Sequence, residues 1–368
     1  MKILITGGHL APALAIIEEL KKQKSRTEIV FVGGKFVLDD KKTLTLEYKS
    51  VIRKKIKFIS LETGRATRIL SFRSLKNFFK FPLGLVGAEK IIREEKPDLI
   101  LSFGGYLALP VALSAFLHRI PVYTHEQTIN PGLTNRIISL FAKKIFLSFD
   151  NTKKYFNPKK TIVSGNPIRQ TVFQTIKKPF EIKKEKPVIY FTGGSLGSHS
   201  INWHLKNLLP KLLKDYIIVH QTGDTKEYQD FEILSKIKKK LPETLKKNYF
   251  LSKHFYDDEI GYIYQTADLV VGRAGANTFF ELLALKKPAI FIPLPWSANK
   301  EQQQQAELFK KAGLGEIFSQ SDKSENLYRL IKKMIKNLNV YKDCFKKLTK
   351  PFNKNDAAKI IIKEISSN

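Results

Sequence analysis

The chain has a single cysteine, Cys344, in 368 residues. This excludes an internal disulfide and a cysteine-built zinc site, and it suits a reducing compartment, the cytoplasm. No apolar run approaches the roughly 20 residues that cross a bilayer. The opening MKILITGGHLAPALAIIEEL is interrupted by Gly7-Gly8-His9 and carries Glu18-Glu19, so strand, glycine turn and helix describe it better than a signal peptide. There is no D-x-D triplet, and Asp257-Asp258 stand adjacent, so no obligatory protein-held metal is expected. Acidic residues are also few, 34 against 64 Lys and Arg, for a net charge of +30. Such an excess predicts a polyanionic partner, whether nucleic acid, phosphorylated substrate or anionic lipid. The lysines are scattered along the whole chain, which equally fits a solvated basic surface. A nucleic-acid-binding protein would show a localised basic face and a recognisable module, and neither is present.

Hydrophobic residues make up 43% of the chain, the share of a soluble globular protein, and the length accommodates two domains. Apolar strands alternate with helical patterns: Lys2 to Thr6 before GGH, Leu99 to Phe103 before GGY, Ile120 to Thr124 before HEQ. This alternation predicts parallel sheets with helices on both faces. Near residue 165 the texture turns proline-rich and charged, as in a linker. The pattern then restarts with Val188 to Phe191, TGGSLGS and a helix from Ile201 to Leu213. The order strand, Thr-Gly-Gly, helix thus occurs twice, and two similar α/β domains follow, residues 1–164 and 165–352. A terminal helix at about 353–368 carries Ala357, Ile360, Ile361 and Ile365 at helical spacing and packs on one of them. In open α/β sheets ligands sit outside the carboxyl ends of the strands, so GGH, GGY, HEQ, GGS and RAGA are expected on ligand-facing loops.

The densest stretch runs from Ala267 to Ala306. It reads as a buried strand, a small-residue turn from Gly272 to Ala276, a helix from Thr278 and a second strand from Ala289. Thr278 and Glu281 have capping-box spacing. A helix N-terminus behind a glycine turn binds anions, which points to a nucleotide-linked substrate. The Gly193 to Ser198 loop has neither the P-loop lysine nor G-x-G-x-x-G spacing. It is a phosphate loop, with Ser195 donating its hydroxyl, or a tight turn needing positive φ. His9 is either a general base, since imidazole titrates near neutrality, or a structural neighbour of a helix cap. His125 reads as a hydrogen-bonded structural residue, and Glu126 as a carboxylate orienting a sugar or acceptor. Arg169 and Arg273 are candidates for pyrophosphate neutralisation. Helix dipoles and arginine would stabilise a leaving diphosphate. Glu281 is a cap glutamate or an acceptor for ribose hydroxyls. Residues 65–85 mix arginine and lysine with Ile69, Leu70, Phe72, Phe78, Phe79 and Phe81, the composition of a membrane-surface segment; a core-facing helix with a basic outer side is the other reading.

Taken in order, GGH, GGY at Gly104 to Tyr106, HEQ, GLTN at Gly132 to Asn135, GNPIR at Gly165 to Arg169, GGSLGS, HQTG at His220 to Gly223, RAGANTFFE and the run around Gln302 resemble the MurG family of bacterial peptidoglycan glycosyltransferases. The resemblance implies a GT-B fold, two Rossmann-like doubly wound domains facing across a cleft, that close to align acceptor hydroxyl, base and anomeric carbon while excluding water. It implies inverting transfer of N-acetylglucosamine from its UDP donor to lipid I, giving lipid II, with no obligatory cofactor. By position, Tyr256 would lie near the uracil, Glu281 on the ribose, Ser195 with Ala276, Asn277 and Thr278 at the diphosphate, and Gln302 at the sugar. Thr6, Gly7, Gly8, Thr128, Arg169, Arg273, Phe279 and Phe280 join the donor-binding set; Tyr106 and Asn135 fall on the acceptor side. His9 is the implied base, with Glu126 as its rival. The implied location is peripheral, on the cytoplasmic face of the cell membrane, with anionic lipid, lipid I and other cell-wall synthesis proteins as partners. A UDP-sugar enzyme making a diacylglycerol glycolipid is the alternative. The chain departs from the family's usual G-G-T-G-G-H, its Thr6-Gly7-Gly8-His9 being several residues shorter.

Overall fold

The computed structural model describes residues 1–23, 27–37, 40–62, 81–194, 196–225, 227–348 and 356–367. The backbone divides into two compact units, Met1–Arg169 with Asn355–Asn368, and Gln170–Lys354. The division falls after Arg169 and not at Gly165. Gly165 stays with the first unit because its N–H donates to Leu147 O at 3.1 Å and its carbonyl meets His125 Nε2 at 3.2 Å. The helical turn Gln170–Phe173 packs instead on the Ile260–Thr266 helix of the second unit.

The first unit is built on β1 (Lys2–Thr6), β2 (Glu28–Gly33), β5 (Lys57–Ser60), β6 (Leu99–Ser102), β7 (Val122–Glu126), β8 (Lys144–Leu147) and β9 (Thr161–Val163), while β3 (Phe36–Val37) and β4 (Asp40–Leu44) form a separate antiparallel pair. The seven strands are parallel, in the order β5-β2-β1-β6-β7-β8-β9. Strands buried on both faces need continuous apolar runs, and Ile3, Leu4 and Ile5 supply one. Ile3 and Ile5 pack with Ala13, Ile16 and Ile17 of α1 (Leu10–Lys22) and with Ala358, Ile361, Ile362 and Ile365. The latter belong to the Ala357–Ser366 helix, which lies against α1. Leu4 points to the opposite face, where Ala88, Val111 and Ile138 come from three further helices.

The second unit repeats the plan with β10 (Val188–Thr192), β11 (Ile217–Gln221), β12 (Tyr249–Ser252), β13 (Leu269–Gly272), β14 (Ala289–Phe291) and β15 (Gly315–Ile317), parallel in the order β12-β11-β10-β13-β14-β15. Its core joins Ile189, Phe191 and Val271 to Leu205, Leu209 and Ile331 of flanking helices.

Candidate active site

In the first unit Thr6 pairs in register with Val32 and Ser102 and is wholly buried. The Gly7-Gly8 turn follows it directly, with Gly7 buried and Gly8 exposed. His9 is the N-cap residue of α1 (φ −111°, ψ 100°), yet its ring makes no cap hydrogen bond, and it is partly exposed. Burial holds the imidazole below its ordinary value, with the Glu126 carboxylate pulling the other way. It is therefore neutral at pH 7 and able to accept a proton.

The HEQ segment does not follow its strand: His125 and Glu126 are the last residues of β7, paired with Phe146 and Leu147 of β8. His125 Nε2 lies 3.2 Å from Gly165 O and 3.2 Å from Ser148 Oγ, and burial lowers its pKa to about 3. Glu126 is equally buried and fully engaged. One carboxylate oxygen accepts from Thr128 N (2.8 Å) and Thr128 Oγ1 (2.7 Å), the other from Gly132 N (3.0 Å) and Asn135 Nδ2 (2.9 Å). An ionised carboxylate offers about four acceptor sites, and all are filled. Asn135 also donates to His125 O (3.1 Å) and accepts from Thr124 Oγ1 (2.9 Å). Thr128 and Asn135 thus serve the carboxylate that organises the turn after β7. Tyr106, partly exposed, follows the Gly104-Gly105 turn.

The buried histidines set an acid limit on stability. Burial holds His125 and His220 near 3, so between pH 6.5 and 3 the unfolded chain binds protons that the folded chain refuses. Stability must fall as pH drops through that window, by up to about 1.4 kcal/mol per pH unit for each histidine. Glu47, pushed up to about 7, acts in the opposite sense between its ordinary value and 7 and offsets part of the loss. Thermal unfolding at pH 7 and pH 4 is expected to show a clearly lower Tm at pH 4.

In the second unit, the loop after β10 turns through Gly194 and Gly197, both at positive φ (81° and 80°). Gly194 N is held by Thr192 Oγ1 at 3.0 Å and its carbonyl accepts from Gln221 Nε2 at 2.8 Å. Ser195 lies outside the described residues. Arg273 does not stand out toward a ligand. Its Nη1 donates to Ile292 O (2.9 Å) and Pro293 O (3.2 Å), and its Nη2 is within reach of Ser198 Oγ (2.8 Å), Ser200 Oγ (2.9 Å) and Gln320 Oε1 (2.9 Å). Burial lowers its pKa to about 10, so it stays charged and places a cation behind the glycine loop. Gln320 completes this tie from a loop no motif marks.

Where the sequence predicts a capping box at Thr278, the helix begins earlier, at Ala276, with Gly275 as N-cap. Glu281 is thereby released from capping; it is buried and accepts from Tyr264 OH at 2.9 Å. Phe279 and Phe280 turn their rings into the core, Phe279 against Phe309 at 5.9 Å. Asn277 is exposed and Thr278 partly so, while Ala276 is buried. Gln302 Oε1 accepts from Leu294 N at 2.9 Å. Just ahead of it Asn299 and Lys300 are both left-handed (φ 53° and 54°), local strain of the kind that gathers at functional loops. Tyr256 is half-exposed beside His254, with ring centroids 5.1 Å apart. Arg169 is the last residue of the first unit before the crossing. The predicted membrane residues Ile69, Leu70, Phe72, Phe78 and Phe79 lie outside the described residues; Phe81 opens the Phe81–Glu95 helix. No group of His, Cys, Asp and Glu suited to a metal ion occurs among the described residues.

Each unit presents a glycine turn and a helix start at the carboxyl edge of a parallel sheet, the arrangement of a GT-B glycosyltransferase. The glycosyltransferase family 28 N-terminal domain matches residues 6–147 and the family 28 C-terminal domain residues 188–361. A UDP-N-acetylglucosamine–N-acetylmuramyl-(pentapeptide) pyrophosphoryl-undecaprenol N-acetylglucosamine transferase from Clostridium novyi is 34% identical over 357 residues, covering 92% of this chain and 93% of its own. The enzyme of that name from Thermoanaerobacter sp. (strain X514) is 34% identical over 371 residues, covering 98% and 97%. Among solved structures, Acinetobacter baumannii MurG shares the fold with a TM-score of 0.67 at 23% identity, the two covering each other completely. A UDP-GlcNAc 2-epimerase from Neisseria meningitidis, bound to UDP-GlcNAc, does so with a TM-score of 0.68 at 16% identity, again over the full length of both. The chain belongs to the MurG family of N-acetylglucosaminyltransferases.

Proposed function

We infer that this chain transfers N-acetylglucosamine from UDP-N-acetylglucosamine to the lipid I acceptor, forming lipid II. The observation that carries this is the identity to enzymes of that activity across both units and nearly end to end. In the reaction the acceptor hydroxyl attacks the anomeric carbon, the bond to UDP breaks, and the hydroxyl proton passes to a base. His9 is that base, being neutral at pH 7 and partly exposed at the start of α1. Glu126 is not, since its acceptor sites are committed to the turn it organises. The donor lies on the second unit, with Glu281 on the ribose, Tyr256 near the uracil and Gln302 at the sugar. The diphosphate meets the glycine loop bearing Ser195 and the first turn at Ala276 to Thr278, with Arg273 as the cation behind that loop.

The acceptor reaches the first unit from the cytoplasmic face of the membrane, to which the chain attaches peripherally. No helix among the described residues is long and apolar enough to cross a bilayer. Leu83, Val86, Leu117 and Leu140 are exposed on three helices packed in series, and Lys90, Arg136 and Lys143 are exposed beside them, an apolar surface with basic neighbours suited to anionic lipid.

The test is release of UDP from UDP-N-acetylglucosamine with and without a short-chain lipid I analogue. Analogue-dependent release is expected; donor binding without it, or release driven by diacylglycerol, would sink the assignment of acceptor. Glu281→Ala is expected to weaken UDP binding roughly tenfold to a hundredfold, as loss of a hydrogen bond to a charged group does. Calorimetric titration with UDP checks it.

A further inference from the structure

The first glycine turn, Gly7-Gly8, holds a carboxylate that no motif announces. Glu47 lies in the first turn of α2 (Leu46–Arg53), whose N-cap Thr45 accepts from Tyr48 N at 3.1 Å and donates to Gly34 O at 2.6 Å. That cap fastens α2 to the turn after β2. The Glu47 carboxylate then enters between the turns after β1 and β2, accepting from Gly34 N at 3.1 Å and from Gly8 N. The space is sized for it: a Cβ on Gly7 would fall 1.9 Å from Glu47 Oε1, and one on Gly33 2.3 Å from Oε2. Gly7 N is meanwhile bound to Val32 O at 2.9 Å. The amides of Gly7 and Gly8, which a phosphate would seek in a glycine turn, are therefore engaged from within the chain.

Resting on the reading of His9 as base, we propose that Glu47 is a positioning residue of the transfer reaction: its carboxylate takes the place of a bound anion in the shortened Gly7-Gly8 turn and so sets where His9 meets the acceptor hydroxyl. Gly8 is the residue directly before His9, and its φ of 147° lets it approach Gly104 O so closely that a Cβ would lie 2.3 Å away. A turn pinned on one side by Glu47 and on the other by Gly104 leaves the backbone at His9 little freedom. Burial pushes the Glu47 carboxyl up to about 7, and the two amides offset part of that cost.

The experiment compares Glu47→Ala and Glu47→Gln in the full chain. Misplacing a reacting group by about 1 Å costs up to a hundredfold, so kcat of Glu47→Ala is expected to fall roughly tenfold to a hundredfold with UDP affinity nearly unchanged and with Tm lowered only by the loss of the two amide contacts. Glu47→Gln, which keeps one acceptor oxygen, should recover much of the rate. A wild-type kcat in Glu47→Ala overturns the proposal, as does a loss that Gln fails to relieve and that UDP binding and Tm share. A second readout needs no turnover. The chain has seven histidines, and with the His9 ring signal assigned by its disappearance in His9→Gln, that signal should shift in Glu47→Ala and return toward its original position in Glu47→Gln. An unmoved His9 signal overturns the proposal even where the acceptor proves to be a different lipid. If wild-type protein transfers to lipid I and His9→Gln is fully active, the choice of base is wrong, and the positioning role for Glu47 falls with it.

Discussion

His9→Gln is expected to lower the transfer rate by about a hundredfold to ten-thousandfold, the range that general-base catalysis contributes, with UDP binding to the second unit unaltered. Gln keeps a polar side chain at the N-cap of α1, where His9 makes no cap bond, so the helix loses nothing by the change. The pH profile carries a second sign. The His9 pKa is depressed, so the imidazole stays unprotonated, and competent as a base, down to a pH below the ordinary histidine value. The acid limb of kcat/KM should accordingly fall below about 6.5 and vanish in the variant. An acid limb that survives in His9→Gln would assign the proton to another group.

Glu126→Ala should act on a different observable. Four donors from Thr128, Gly132 and Asn135 converge on that carboxylate; without it the Thr128 hydroxyl keeps Asn130 O as acceptor, but the N–H groups are left unpaired at a cost of about 1–3 kcal/mol for each that water cannot reach. A loss of about 3 kcal/mol or more in unfolding free energy is expected, read by urea denaturation. Glu126→Gln should be only partly better, because its amide nitrogen turns a donor toward donors. Full stability with activity abolished would make Glu126 the base after all and reverse the roles given above.

The architecture was legible because buried parallel strands must be apolar for their whole length: Ile3 to Ile5 and Leu269 to Val271 have no other reading once a glycine turn and a helical pattern follow. Boundaries were less so. The capping spacing of Thr278 and Glu281 is genuine in the sequence, yet Gly275 can serve as N-cap without any side chain, and local pattern cannot rank a glycine N-cap against a threonine one. Likewise nothing local says that β7 continues through His125 and Glu126; the donors that make a carboxylate acceptable at a strand end come from Gly132 and Asn135, beyond the next turn. Arg273 shows the same limit, since its acceptors Ser198, Ser200 and Gln320 are assembled only by the sheet order. Glu47 was missed for a further reason: a Glu in the first turn of a helix reads as an ordinary partner of the helix dipole. Only its approach to Gly7 and Gly33 distinguishes it.

The Ala357–Ser366 helix has a consequence for how the protein is made. It supplies Ala358, Ile361, Ile362 and Ile365 to the core shared by α1 and β1, yet the whole of the second unit, Gln170–Lys354, intervenes in the chain. Domains ordinarily fold in the order in which they leave the ribosome. Here that order is broken: the second unit, being continuous, can complete its core while the first still waits with the faces of Ala13, Ile16 and Ile17 uncovered. The nascent chain must keep that apolar surface from aggregating until its final helix emerges, so premature termination anywhere in the second unit would be punished through the first.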